Sequence, residues 1–294
     1  MNLELLEKFK TLTIIALVSD DDLMDRLVLK GGNAINLIHK LNKRASIDID
    51  FSIADDFSKE ERNDIENRIK ALLENTFKEN GYTIFDFKFK EKPNNINSAI
   101  KEFWGGYKIE FKILENEKYN SLSDIDSRRR QAIVIRKNNS TIYSVEISKY
   151  EFVKPKKDFE LEAYTVFAYT PEMIICEKIR SIFQQLPDYS RIVGSNSQAS
   201  RARDFFDIYT LVKHYNFNIN EEINIELIKK MFDAKKVPLD YLSRIEELKE
   251  FHKSSHQEVV STVETGIDVE DFEVYFDFVK DLCEKANAEF IKND

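Results

Sequence analysis

Residues 27–53 read LVLKGGNAINLIHKLNKRASIDIDFSI, and the fold follows from this stretch. Leu27, Val28 and Leu29 form a short apolar run that stops at Gly31-Gly32. From Ala34 to Leu41 the apolar residues recur with helical spacing, and Asp48-Ile49-Asp50-Phe51 then alternates with period two, as a strand buried on one face does. Adjacent glycines let the backbone approach a ligand closely, and a helix start offers unpaired N–H groups and a positive dipole end. Asp48 and Asp50, two apart on a strand, point to one face. Paired carboxylates there are costly without a cation, and an all-oxygen site suits Mg²⁺. The residues thus imply a phosphate site beside a metal site; the plain alternative is a glycine turn followed by a solvated acidic strand.

The order Gly-Gly, helix, Asp-x-Asp resembles the signature of the DNA polymerase β superfamily of nucleotidyltransferases. The fuller match, Lys30-Gly31-Gly32-Asn33 followed by Arg44-Ala45-Ser46-Ile47-Asp48-Ile49-Asp50-Phe51, resembles the AbiEii/AbiGii toxin family. Relatives commonly carry Ser or Thr where this chain has Asn33, whose amide can also donate to a phosphate oxygen. Three further segments extend the resemblance. Ser144-Val145-Glu146-Ile147-Ser148 is similar to the family's third-carboxylate strand, with Glu110 in Lys108-Ile109-Glu110-Phe111 as the competing choice. Glu177-Lys178-Ile179-Arg180-Ser181 resembles the motif whose lysine contacts nucleotide phosphates. Arg203-Asp204-Phe205-Phe206-Asp207 resembles the motif of Arg-Asp with a second Asp three residues on.

The resemblance implies an α+β fold: a polymerase β-like nucleotidyltransferase domain with a mixed sheet over residues 1–168, then a helical domain over 169–294 that completes the active site. It implies Asp48, Asp50 and Glu146 as ligands of Mg²⁺ or Mn²⁺, and Gly31, Gly32, Asn33 and Lys178 at the phosphates of an NTP. Asp204 would orient Lys178 or the nucleotide. The implied reaction moves a nucleoside monophosphate from an NTP onto an acceptor, RNA and tRNA in particular, in a toxin neutralised by a cognate antitoxin and serving abortive infection, that is, phage defence. Nucleotidylation of a protein side chain and a catalytically idle NTP-binding module are the alternatives.

Composition sets the bounds. With 294 residues, 42% hydrophobic and 33% charged, the chain has the material for a folded core in one large or two ordinary domains. Its longest apolar run, Leu12 to Val18, is too short for a membrane span, and MNLELLEKFK lacks the features of a signal peptide, so a cytoplasmic protein is expected. Two cysteines, Cys176 and Cys283, indicate no disulfide framework. The net charge of −9 argues against indiscriminate nucleic-acid binding, leaving Arg128-Arg129-Arg130, Arg136-Lys137, Lys154 with Lys156-Lys157, and Lys235-Lys236 as pieces of a local basic groove should they converge.

Periodicity predicts helices over residues 3–18 and 58–77, and a short one for which Ser19 and the Asp20-Asp21-Asp22 run provide the N-cap and a negative first turn. Strands are predicted over 83–90 (with Phe85, Phe87 and Phe89 on one face), 107–114, 141–148 and 164–169. Ser123 is expected to cap a helix bearing the triple arginine, and Thr170 to cap a helix opened by Pro171. In that helix Lys178 falls inside the stripe Ile174, Ile175, Ile179, Ile182, Phe183 and Leu186, where snorkelling is the ordinary explanation. Lys178→Met is therefore expected to leave stability near normal. Residues 187–200 read as a mobile polar loop, Arg203 as a partner for Asp207, 221–294 as three or more helices, and His252 with His256 as a surface pair.

Overall fold

The computed structural model describes residues 3–41, 46, 48–135, 139–194, 198–263 and 267–293. Arg44, Ala45, Ile47, Arg136 and Lys137 of the sequence motifs lie outside the described residues. The fold is α+β, organised on a seven-stranded mixed sheet in the order β3-β4-β5-β2-β1-β7-β6. Its strands are β1 Val28–Lys30, β2 Ile49–Ser52, β3 Tyr82–Lys92, β4 Gly106–Glu115, β5 Tyr143–Ser148, β6 Lys157–Leu161 and β7 Tyr164–Ala168. The pairs β2/β5 and β1/β7 are parallel, and the others are antiparallel.

On one face lie the helices α1 (Leu3–Val18) and α4 (Arg62–Glu79). Ile65, Ile69, Leu73 and Phe77 line the buried side of α4, and Phe77 meets Phe111 of β4 edge to face at 5.7 Å. The opposite face of the central strands carries the polar alternates and opens on a cleft. The far wall of that cleft is helical: α7 (Pro171–Phe183), α8 (Pro187–Val193), α9 (Ala202–Tyr215), α10 (Glu222–Ala234), a 3₁₀ stretch Leu239–Leu248, α11 (Lys249–Lys253), α12 (His256–Val260) and α13 (Phe272–Asn293). The remaining short helices are α2 (Asp21–Arg26), α3 (Gly31–Asn33), α5 (Asn116–Ser121) and α6 (Ile125–Gln131). One apolar cluster runs without a break from Leu6 through the sheet to Ala286.

Several local expectations are corrected. Phe85, Phe87 and Phe89 do not share a face: the β3/β4 register shifts between Phe85 and Lys88, and Asp86 sits at φ 52°. That bulge turns Phe85 to a small cluster with Leu114 and Ala132, while Phe89 stacks on Tyr107. The strand β6, with its charged sequence, was not anticipated. Asp124 rather than Ser123 caps α6, and Asp20 caps α2. The expected loop over 187–200 contains α8, which starts on Pro187 and ends at Gly194 in the left-handed region (φ 64°). His252 is fully buried and its Nδ1 accepts from the Arg201 N–H at 3.0 Å, so it forms no surface pair.

Candidate active site

The strand register builds the site. Lys30 of β1, Asp50 of β2, Glu146 of β5 and Lys108 of β4 are successive registered partners, forming one charged rung across four strands. Asp48, just ahead of β2, accepts from the Ser144 hydroxyl at 3.4 Å, so it too faces β5. Burial pushes the Asp50 carboxyl up to about 7; Lys30 opposes that shift, and Glu146 and Asp48 reinforce it. Glu110 lies one strand further out, opposite Ser144, and is held by Lys90 and Lys108 at 3.1 Å each. Glu146 is therefore the glutamate that the register sets beside Asp50.

The glycine turn abuts these carboxylates. Gly31 has φ 67°, and a Cβ there would lie 3.0 Å from Asp50 Oδ2, so both conformation and space require glycine. The helix it opens is short and widens at once: His39 N–H donates to Ala34 O, five residues back, at 3.0 Å. Asn33 is placed differently from the expectation of a phosphate contact. It is fully buried, and its Nδ2 donates to the Asp48 carbonyl at 2.5 Å, tying the turn to the start of β2.

The helical wall presents Lys178. Thr170 caps α7 through Met173 N–H, and the helix buries ten of its residues from Met173 to Phe183, Lys178 among them. Its ammonium does not snorkel. It lies 2.6 Å from Asp204 Oδ1 and 2.8 Å from Asp207 Oδ2 on α9, and Arg201 adds a second partner to Asp204 at 3.1 Å. Burial would raise the Asp204 carboxyl, but Lys178 and Arg201 hold it well below the usual carboxylate range. Arg203 points elsewhere, to Glu258 at 3.3 Å, so the expected Arg203–Asp207 pair is replaced by Lys178–Asp207.

Below the rung lies a buried ionic cluster that sequence reasoning missed. Glu151 receives Arg180 at 2.7 Å, Lys30 at 3.4 Å and Lys235 at 3.5 Å, while Glu177 receives Arg180 at 3.2 Å and Lys30 at 3.5 Å. Burial alone would raise Glu151; Arg180, Lys235 and Lys30 together drive it strongly down. Burial lowers Lys235 to about 8. The cluster locks α7 and the end of α10 onto β1 and the turn after β5. Glu177 and Arg180, charges set against the apolar stripe of α7, were the visible signal. Lys30, Glu151 and Lys235 carried none.

Sheet rung, glycine turn and helical wall enclose a cleft of about 930 Å³ lined by Gly31, Gly32, Asp48, Asp50, Glu146, Lys178 and Asp204, with Trp104 and Arg201 at its walls. The family model described as the nucleotidyl transferase AbiEii toxin of the type IV toxin–antitoxin system matches residues 15–277. The chain belongs to this family of nucleotidyltransferase toxins. It is similar in structure to a putative nucleotidyltransferase from H. pylori (17% identity, 98% of this chain and 96% of the other, TM-score 0.47). JHP933 from Helicobacter pylori is similar at 17% identity (98% and 92% covered, TM-score 0.46), and an antigenic nucleotidyltransferase-like protein from Paracoccidioides brasiliensis at 16% (80% and 91%, TM-score 0.31). No curated protein matches the chain. Among the described residues no helix is long and apolar enough to cross a membrane.

The donors of this AbiEii relative suit a hard divalent cation in type, being carboxylate oxygens that share one sheet face. Among the described residues no three acidic, His or Cys side chains already form a ligand cage. Glu146 turns both oxygens to the Lys92 ammonium, 2.7 Å from each, so a cation entering there would replace that ammonium.

Proposed function

We propose that this AbiEii-family enzyme transfers a nucleoside monophosphate from an NTP to the end of an RNA, tRNA being the expected class, with release of pyrophosphate. The observation that carries the reading is the rung: Asp50 and Glu146 in register on parallel strands, Asp48 on the same face, and Lys178 lining the same cleft. Asp48, Asp50 and Glu146 would hold Mg²⁺ or Mn²⁺, which supplies Lewis acidity and lowers the pKa of a bound hydroxyl. The backbone of Gly31 and Gly32, free of side chains, would receive the β and γ phosphates, and Asn33 would keep that turn in register with Asp48. Asp204 would hold both Lys178 and Arg201 in place on the wall where pyrophosphate departs. The helices of 169–294 would thus complete a site founded on 1–168, with the cluster around Glu151 fixing the two halves of the cleft.

The test is incubation of the purified chain with each α-labelled NTP and either total RNA or total protein from the same cells. Label in RNA that disappears in Asp48→Asn supports the reading. Label confined to protein would replace it with side-chain nucleotidylation, and no label in either would leave the idle binding module.

A further inference from the structure

The charged row of the sheet does not end at Glu146. The rung continues outward to Lys108 and then to Lys90, its partner on β3. On the same face of the β3–β4 hairpin stand Lys88, registered with Glu110; Lys92, registered with Gly106; and Lys112, two residues beyond Glu110. Arg129 leans onto this face from α6, bonding Asp86 at 2.7 and 2.9 Å. Among the described residues four carboxylates answer these six cations: Glu110 and Asp86 on the hairpin itself, Glu146 at Lys92 and Asp126 at Arg129. Glu110 is shared by Lys90 and Lys108, and Asp86 by Lys112 and Arg129 at 3.8 and 2.7 Å. The reverse face of the same strands buries Tyr107, Ile109, Phe111 and Ile113. The lysine face is therefore the outer one, with the Lys90 and Lys92 side chains 45% and 55% exposed.

A solvated lysine face is commonplace, but three features set this one apart. It belongs to a chain of net charge −9, so its sign runs against the whole. It is continuous, strand by strand, with the carboxylate rung. It is also narrow, two strands or about 10 Å across, with ammonium groups repeating every second residue, about 6.5 Å, along β3. Such a strip matches one extended phosphodiester backbone better than the two backbones of a duplex. We infer that the lysine face of the β3–β4 hairpin is the track along which a single-stranded RNA end reaches the cleft. This rests on the RNA-acceptor reading above and names the surface that would serve it. Of the basic runs singled out from sequence, the triple arginine contributes Arg129 to this face, whereas Lys235 is buried in the ionic cluster and Arg128 is spent on the carbonyls of Tyr119 and Leu122.

The experiment measures binding of a fluorescent single-stranded RNA oligonucleotide by anisotropy across a salt series. Emission of Trp104, the one tryptophan and a residue of the cleft wall, gives a second readout without turnover. The strip variant is Lys88→Gln/Lys90→Gln/Lys112→Gln. The control, Lys70→Gln/Lys78→Gln/Lys229→Gln, removes the same charge elsewhere. Each single-strand phosphate contact contributes about 0.7 to the salt slope, so the strip variant should lose about 2 in slope and bind at least about tenfold more weakly at low salt. The control should bind as wild type, NTP affinity should be unchanged in both, and Lys88→Arg/Lys90→Arg/Lys112→Arg should restore RNA binding. Equal binding and slope in the strip variant, or equal weakening in the control, would overturn the track while leaving an RNA acceptor in place. Wild-type protein that binds no RNA and labels only protein would remove the acceptor reading and the track with it.

Discussion

Lys178→Met is the perturbation whose outcome the structure changes most. A snorkelling lysine could be replaced at little cost, but this one is 6% exposed and lies between carboxylates that are 11% and 4% exposed. Removing one partner of a buried pair costs about 3–5 kcal/mol, because the charge left behind is unpaired. Arg201 still reaches Asp204, so the lower end, about 3 kcal/mol, is expected; for a chain of this size that is about 6–12 °C in Tm. The deficit should depend on pH. In the wild type Asp204 is held below its unfolded pKa, so its stabilisation is present above about pH 4 and is lost only in stronger acid. In the variant the carboxylates that lose Lys178 are raised instead; the folded state then binds more protons, and the deficit shrinks as pH falls from 7.5 toward 5.

Urea melts of wild type, Lys178→Met and Lys178→Met/Asp207→Asn at both pH values test this. The double variant should recover most of the stability, since it removes a buried charge that Lys178 had balanced, but it should not recover nucleotide transfer. A Lys178→Met protein within about 1 kcal/mol of wild type at pH 7.5 would refute the buried-triad argument.

The other expectations are shorter. Glu146→Gln should abolish transfer and Glu110→Gln should not, as measured with α-labelled NTP; the opposite pattern would place the third carboxylate one strand out. Lys92→Ala removes the ammonium held by both Glu146 oxygens, so half-maximal activity should need less divalent metal; an unchanged or higher requirement counts against Glu146 as a ligand. Burial lowers His252 to about 4, below its unfolded value near 6.5, so the unfolded chain binds the extra proton and stability falls as pH drops from 6.5 to 4, by on the order of 3 kcal/mol. His252→Asn, which keeps an acceptor for the Arg201 N–H, should flatten that slope in thermal melts, and an unaltered slope would assign the acid sensitivity to other groups.

Much of the sheet face was legible because local pattern and tertiary role coincide there. Period two in Asp48–Phe51 and Tyr107–Leu114, and the glycine pair before them, encode the face directly. The Thr170-Pro171 start of α7 was equally plain. What escaped depends on partners far away in the chain. Nothing local to Glu151 announces Arg180, 29 residues on, or Lys30, 121 residues back. The β3 bulge turns on one left-handed residue, Asp86, which the alternation of phenylalanines conceals. In 187–200 the polar composition outweighed two sound signals, Pro187 at a helix start and Gly194 at its end.

The two walls of the cleft handle charge in opposite ways, and this bears on the chemistry. On the sheet wall Asp48, Asp50 and Glu146 lie together on one face, and burial, reinforced by Glu146 and Asp48, raises the Asp50 carboxyl to about 7. On the helical wall Lys178 and Arg201 meet Asp204 and Asp207 at close range, so the group is nearly neutral and rigid. A nucleotide bound as proposed would carry its negative charge between these walls. The sheet wall can accept it only together with cations, which is the thermodynamic argument for co-binding of metal and NTP. The helical wall can offer Lys178 only in competition with two carboxylates already in place. Lys178 therefore acts less as a free charge awaiting phosphate than as part of a fixed dipolar group. Preorganisation of that kind favours charge developing on a departing pyrophosphate over charge already present in the bound substrate.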